Sequence, residues 1–285
     1  MKKLLLFLLV LVCLYFIGMN LKSASWFPFG NKEAQSESMK NIKTIDVDIS
    51  SQDVKIIPEN REDLQAKLEG KGKLIVNRSG DTVHIKVKRK WFEGIRFWSK
   101  SGLKIYIPKD YDQNVDLTLG SGRIRMSGPS KDHPMKLKDV NVDMGSGLME
   151  LENLDVLRFQ HKGSSGKASF HALAAKIGTI KMGSGVVDVS GYKGKLETKL
   201  SSGKLDIQMD ELNDSVDIKV NSGLVKLELP KEADFTLNGT VGSGWISCDL
   251  PLKSRESGNH KVNGIHGTGE HQINVKVSSG KVDID

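Results

Sequence analysis

The chain has 285 residues, including 29 glycines, with 6% aromatic residues and a formal net charge of +7. Its length allows one long domain or two ordinary ones, and abundant glycine with few aromatics argues against a helical bundle. Lys2, Lys3 and Lys22 lie in or beside the N-terminal apolar segment, and elsewhere lysines alternate with acidic residues. This is typical of a solvated surface, compatible with a weak attraction to an anionic cell envelope, and it predicts no nucleic-acid partner. Cys13 and Cys248 cannot build a disulfide framework.

Residues 1–25 are predicted to be a membrane anchor or signal segment. Two lysines precede an apolar run over residues 4–19. Extended to residue 21, this run makes a helix of roughly 27 Å, which nearly spans a hydrocarbon core of about 30 Å. The leading lysines favour a cytoplasmic N-terminus, with the rest of the chain outside. We expect a single-pass transmembrane helix in the cell membrane, and the alternative is cleavage near residues 23–25 followed by secretion.

The next two segments are interpreted as a linker and a cap. Residues 26–41 are predicted to be a polar linker, because residues 31–41 are polar and show no alternation. Residues 42–114 contain several alternating runs, such as 42–49 and 82–87. They predict N-terminal strands that cap the repeat region, since an open end of a stack invites edge-to-edge association.

An aromatic cluster interrupts these strands. Its members are Trp91, Phe92, Phe97 and Trp98, and basic residues flank them. The cluster is interpreted as a loop folded over the end of the core. The alternatives are a membrane-surface loop and a carbohydrate-stacking patch.

A repeat fills residues 115–285. A Ser-Gly pair recurs, with its glycines at Gly122, Gly147, Gly166, Gly185, Gly203, Gly223, Gly244 and Gly280. Most steps are close to 20 residues, which is the mark of a repeat architecture, whereas the last step is 36. The long step predicts an inserted loop or a degenerate repeat within residues 253–269.

Alignment on these glycines shows alternation. The positions two and four residues after each glycine are all apolar, and mostly polar residues stand between them. Each unit is therefore a strand, a small-Ser-Gly corner and a second strand, with the glycine expected to supply unusual backbone conformations. We predict an all-β parallel β-solenoid, with an antiparallel meander or sandwich as the alternative. Cys248 falls in an inward column and is predicted to be a small buried hydrophobe.

One outward column is unusual. The residue directly after each corner glycine is sometimes basic and sometimes apolar, and one of these residues is Trp245. The apolar members are interpreted as packing under a connecting loop. The alternative is a shallow contact strip in which Trp245 is the best anchor.

The chain resembles a known family. The residues that carry the likeness are Ser-Ser-Gln-Asp-Val-Lys-Ile at 50–56, followed by many Gly-Ser-Gly or Ser-Ser-Gly units. Residues 42–285 resemble the adhesin domain of bacterial envelope proteins. The resemblance implies an extracytoplasmic β-domain, and it brings no catalytic residues and no defined ligand.

Few residues are arranged for chemistry. The closest histidines, His260, His266 and His271, lack a carboxylate or cysteine that would complete a metal site. The serines sit in repeated turns, and there is no nucleophile elbow or phosphate loop. We therefore predict no catalytic residues, no metal and no cofactor.

The sequence thus predicts a non-catalytic envelope protein. Its expected partners are the membrane, through the N-terminal segment, and envelope proteins or a cell-wall polymer, within an envelope stress response. One alternative is a wall-polysaccharide enzyme, which would need a pair of inward-leaning carboxylates in one cleft. The outward carboxylates Asp188, Asp206 and Asp283 could bind calcium, but they lack the dense ligand loop of known repeat sites. The other alternative is a structural spacer.

Overall fold

The computed structural model describes residues 32–70, 72–88, 102–258 and 260–285, and every regular element within them is a β-strand. The strands in chain order are β1 (Lys32–Ser38), β2 (Thr44–Ile49), β3 (Asp53–Glu59), β4 (Asp63–Glu69), β5 (Lys73–Ser79), β6 (Thr82–Lys88), β7 (Gly102–Pro108), β8 (Asn114–Leu119), β9 (Arg123–Ser127), β10 (Met135–Met144), β11 (Leu148–Gly163), β12 (Lys167–Met182), β13 (Val186–Leu200), β14 (Lys204–Met209), β15 (Val216–Val220), β16 (Leu224–Glu228), β17 (Phe235–Val241), β18 (Trp245–Cys248), β19 (Lys253–Gly258), β20 (Lys261–His266), β21 (His271–Val277) and β22 (Lys281–Ile284). The all-β class predicted from the sequence is confirmed.

The predicted transmembrane helix lies outside the described residues. Within those residues, no helix has the length and apolar character that crossing a bilayer requires.

Each coil of the chain contributes one strand to each of two walls. Wall 1 holds the strands before the corners, in the spatial order β6, β2, β8, the second halves of β10 to β13, β15, β21 and β17. Wall 2 holds the strands after the corners, in the order β7, β3, β9, the first halves of β11 to β13, β14, β16, β22 and β18. All these pairings are parallel. The solenoid is therefore confirmed, and the antiparallel meander is excluded for this body.

A short third side closes the central coils. The strand β10 begins here, and residues 135–137 pair with residues 154–156 of β11, which has the bend residue Asn153 just before them. Asn153 and its counterparts Ala172 and Gly191 have positive φ values of 55°, 49° and 67°. These left-handed residues turn the long strands out of wall 2.

The coils at both ends are stacked out of chain order. The last coil, β21–β22, lies between β15–β16 and β17–β18. At the other end, β2–β3 lies between β6–β7 and β8–β9. The coils β2–β3 and β21–β22 are therefore interior to the stack. The coils next to them in sequence, β6–β7 and β17–β18, lie farther out, towards its two ends.

Antiparallel strands cover the ends. At the N-terminal end β5 pairs with β6, β4 pairs with β7, and β1 pairs with β4. At the C-terminal end β20 pairs with β17, and β19 pairs with β20. The long step in the repeat is therefore a hairpin, β19–β20, that precedes the intercalated coil.

The structure differs from the sequence interpretation at residues 32–38, which belong to β1 and not to a linker. The strand forms as an antiparallel partner of β4, and its polar side chains also bond to the backbone of β5. Glu33 accepts a hydrogen bond from the Leu74 amide at 3.1 Å, and the Gln35 side chain bonds to the Leu74 carbonyl and the Val76 amide. Because these contacts involve backbone groups, the strand forms without apolar alternation in its sequence.

The core runs between the walls along the whole stack. Its largest fully buried side chains include Tyr192, Phe159, Phe170 and Phe235. Phe159 and Phe170 meet edge to face, with ring centroids 4.9 Å apart. The core is filled by the inward columns that the alternation predicted.

Candidate functional site

The corners form a continuous ladder through the molecule. The central corner residue is serine in all nine described corners, which in spatial order are Ser51, Ser121, Ser146, Ser165, Ser184, Ser202, Ser222, Ser279 and Ser243. The Ser184 amide, for example, donates to the Ser164 carbonyl of the coil below at 2.9 Å. Neighbouring corners are therefore in direct backbone contact.

Close approach explains the corner glycines. A Cβ added to Gly185 would lie 2.3 Å from the Gly166 carbonyl oxygen, and one added to Gly203 would lie 2.1 Å from the Gly185 carbonyl oxygen. Among the corner glycines only Gly166 has a left-handed φ, at +91°. The expectation that these glycines supply unusual conformations holds for Gly166, and at the other corners the requirement is space.

The unusual outward column lies on wall 2. We call it the post-glycine row, and its members in spatial order are Arg123, Leu148, Lys167, Val186, Lys204, Leu224, Lys281 and Trp245. Basic and apolar side chains alternate from one coil to the next. The alternation is complete because the intercalated last coil places Lys281 between Leu224 and Trp245.

The apolar side chains near the C-terminal end of this row are open to solvent. Trp245 is 65% exposed and Leu224 is 52% exposed. In the described part of the chain these side chains project outward and are not covered by a connecting loop. Trp245 begins β18, which pairs with β22 on one side and with no described strand on the other. An exposed tryptophan therefore stands beside an unpaired strand edge.

The other predicted contact residues cannot be placed. Trp91, Phe92, Phe97 and Trp98 lie outside the described residues.

A second row lies on wall 1, close to the corners, and sequence reasoning missed it. We call it the lysine row, and in spatial order it consists of Lys162, Lys181, Lys199, Lys219 and Lys276, each paired directly with the next. All five side chains are exposed. These five lysines share one sequence position, four residues before a corner glycine. In chain order, however, Thr240 occupies that position between Lys219 and Lys276 and interrupts the series.

Two of the outward carboxylates are neighbours, because Asp188 on β13 stands directly opposite Asp206 on β14. Asp206 pairs with Lys204 at 2.5 Å, and Asp283 pairs with Lys281 at 2.7 Å. No group of three His, Cys, Asp or Glu side chains within the described ranges is arranged to hold a metal ion. Asp206 and Asp283 therefore act as ion-pair partners of the post-glycine row.

Two reactive side chains belong to the core. Cys248 is buried, and burial raises the pKa of its thiol, as expected for a residue that fills space. His161 is fully buried in a largely apolar inward column that also contains Thr198, and its ring meets Phe170 edge to face at 5.2 Å between centroids. Burial lowers the pKa of His161 to about 4, so the imidazole is neutral.

Comparison with solved structures identifies relatives of the fold. A candidate adhesin from Bacteroides fragilis superposes with a TM-score of 0.54 at 13% identity, covering 90% of this chain and 97% of that chain. A candidate lipid-binding protein from Parabacteroides distasonis gives a TM-score of 0.49 at 14% identity, covering 90% and 97%. At these identities the likeness concerns the fold alone.

No curated protein matches this sequence. The sequence profile that does match spans residues 42–285, which is the solenoid from its first coil to its last residue. The chain therefore belongs to the Toastrack DUF4097 family.

Proposed function

We propose that this chain is a non-catalytic contact domain on the outer side of the cytoplasmic membrane. Residues 1–25 anchor it there, and the solenoid presents the post-glycine row to an envelope protein. The observation that carries the proposal is Trp245, which is 65% exposed beside an unpaired strand edge. Exposed aromatic side chains anchor protein interfaces, and an open edge accepts a further strand.

The absence of enzymatic activity is part of the same proposal. Its support is the pairing of Asp206 and Asp283 with lysines and the burial of Cys248 and His161. A catalytic site needs titratable groups gathered in one cleft, and the described residues offer ion pairs distributed along a wall.

Site-specific photo-crosslinking in intact cells tests the contact. A photoreactive amino acid replaces Trp245 in one variant and Asn77, an exposed residue of β5 outside both walls' candidate surfaces, in the control. We expect a discrete crosslinked product from position 245 that does not appear from position 77. Equal products from both positions, or none from position 245, would contradict the proposal, and a product removed by muramidase digestion would identify wall polymer as the contact.

Membrane topology has its own test. In a Cys248→Ala background, the exposed residue Thr118 is changed to cysteine and intact cells are treated with a membrane-impermeant maleimide. We expect labelling without lysis, on a chain whose mass retains residues 1–25. Labelling only after lysis would place the body inside the cell, and a shortened chain in the medium would show cleavage and secretion.

The cellular setting is also a proposal. The whole chain resembles LiaG, from an operon linked to the envelope stress response of Gram-positive bacteria. We expect that deletion of the gene changes the threshold at which a wall-active antibiotic induces that response. An unchanged threshold would separate this chain from the stress response and leave the contact function to be judged by crosslinking.

A further inference from the structure

We infer that the lysine row binds an unbranched phosphodiester polymer that lies along the solenoid axis. This inference extends the proposed contact function, because it names a chemical class of partner. It uses wall 1, whereas the proposed protein contact uses wall 2, so each can fail without the other.

The row concentrates like charge at a cost to stability. Lys162, Lys181 and Lys199 stand directly opposite one another on adjacent parallel strands, and Lys219 and Lys276 continue the series. Neighbouring strands lie about 4.8 Å apart, and like charges placed directly opposite destabilise a sheet. Lysines on an edge strand can prevent aggregation, but these strands are interior to the wall. The arrangement therefore has no evident structural benefit.

Nearby carboxylates do not neutralise the row. None of the five lysines forms an ion pair with any described residue, whereas the wall 2 lysines Lys204 and Lys281 do. Acids also lie on the face with the row. Asp143 stands directly opposite Lys162, Glu197 pairs with Lys195 at 3.5 Å, and Asp217 accepts a hydrogen bond from Asn274 at 3.0 Å.

A groove accompanies the row. It is open and shallow, and it runs beside the corners, where Lys162, Lys181 and Lys199 line it together with Gly145, Ser164 and Gly183. Its small corner residues leave room beside the long lysine side chains. The groove runs across the strands and presents one lysine on each of three adjacent coils, whereas Asp143 and Thr118 line its other two coils. Lys219 and Lys276 continue the row beyond the groove, so an extended chain following the row would meet one lysine on each of five coils.

The row has a defined length, because a residue other than lysine stands at each end. Asp143 faces Lys162 at one end and Thr240 faces Lys276 at the other. Five rungs span four gaps, which is roughly 19 Å. The row therefore matches a linear polyanion with several charges and has no preference for a single small anion.

The side chains around the row indicate which class of polyanion it binds. Among the described residues no aromatic side chain lines the groove, so a nucleic acid would find no stacking platform there. The residues on the other side of the row are polar, namely Gln160, Thr179, Glu197, Asp217 and Asn274. The apolar side chains that line the groove, Leu119, Met144 and Met182, are at most 3% exposed, whereas membrane-surface binding requires exposed apolar side chains beside the cations. Lysine ammonium groups bind phosphate as point charges, so a polyol phosphate chain fits best.

The test measures binding of fluorescently labelled poly(glycerol phosphate) to the full chain in neutral detergent. The row variant carries Lys162→Gln, Lys181→Gln, Lys199→Gln and Lys219→Gln. The control removes the same charge at four exposed lysines elsewhere, with Lys73→Gln, Lys88→Gln, Lys136→Gln and Lys231→Gln. We expect the row variant to lose at least about tenfold in affinity and to reduce the slope of log affinity against log salt by about 3. The control should retain wild-type binding.

Length and chemistry provide further readouts. Affinity should rise with polymer length until the chain spans the row, and glycerol phosphate alone should bind weakly. A variant with arginine at the same four positions should still bind, which separates lost charge from lost fold. Trp245→Ala should leave polymer binding unchanged.

Several outcomes would overturn the inference. Equal losses in the row and control variants would show an effect of net charge only. Tighter binding of single-stranded DNA would indicate a nucleic-acid surface. Binding to anionic vesicles, with no binding to the soluble polymer, would indicate a membrane surface.

Discussion

At each corner, serine and glycine have different tasks. The serine side chain is exposed at most corners, and its amide joins the coil below. The glycine leaves the space that a carbonyl oxygen of the next coil occupies. The serine could therefore be replaced with little effect on stability, whereas the glycine could not.

A matched pair of substitutions measures this difference. Gly185→Ala forces a Cβ to 2.3 Å from the Gly166 carbonyl oxygen, so we expect a loss of about 1–3 kcal/mol in the free energy of unfolding. Ser184→Ala, at an exposed side chain, should stay within about 0.5 kcal/mol of the parent chain. Urea unfolding followed by circular dichroism gives both values. Similar losses in the two variants would contradict the role assigned to the glycine.

His161 should make stability depend on pH. Its pKa is about 4 in the fold against 6.5 as the ordinary value, and burial is the cause. As pH falls from about 6.5 to 4, the unfolded chain binds the proton before the folded chain does, which favours unfolding. Above this pH window the contribution of His161 to stability is constant, and below the window that contribution is lost completely.

The His161 contribution can be isolated by substitution. A shift of this size corresponds to roughly 3 kcal/mol, at about 1.4 kcal/mol per pH unit. We expect His161→Leu to remove that part of the decline between pH 6.5 and 4 in urea unfolding, while His133→Leu, at an exposed site, leaves it intact. A decline of the same size in His161→Leu and the parent chain would assign the effect to other groups.

At the scale of elements, the intercalated coil supports its neighbours on both sides. Strands β21 and β22 pair with β15 and β16 on one side and with β17 and β18 on the other. Strand β18 has no other described partner strand, and β17 has only β20 in addition. Loss of this coil therefore removes two interfaces.

Truncation after Glu270 tests this dependence. We expect amides of residues 235–248 to lose hydrogen-exchange protection, because their parallel partners are gone, whereas residues 148–200 stay protected. Mass spectrometry of peptides from both regions provides the comparison, and the central peptides serve as the internal control. Retained protection at 235–248 would mean that this coil docks directly onto β15 and β16.

At the scale of the whole molecule, the sequence predicted the features that depend on local pattern. Period-two alternation around the glycines gave the strands, the inward columns and the burial of Cys248. It also placed Trp245 on an outward face, where it is 65% exposed. These predictions succeeded because each depends on spacing within one coil.

Features that depend on distant partners were not predictable. Strand β1 pairs with β4, and its side chains Glu33 and Gln35 bond to the backbone of β5, which no alternation in residues 31–41 reveals. The order of the terminal coils depends on which strands pair, and eight similar corners leave that choice open. The lysine row becomes continuous only in the spatial order, since Lys276 is far from Lys219 in sequence.

The placement of the last coil has a consequence for biosynthesis. The ribosome makes β21 and β22 after all the other described strands, yet they occupy a position inside the stack. The growing chain must keep that position open, or leave β17 and β18 undocked, until these two strands emerge. A product that terminates before β21 would thus expose the edges of β15 to β18 to proteases, which makes synthesis of this coil a checkpoint for survival of the protein.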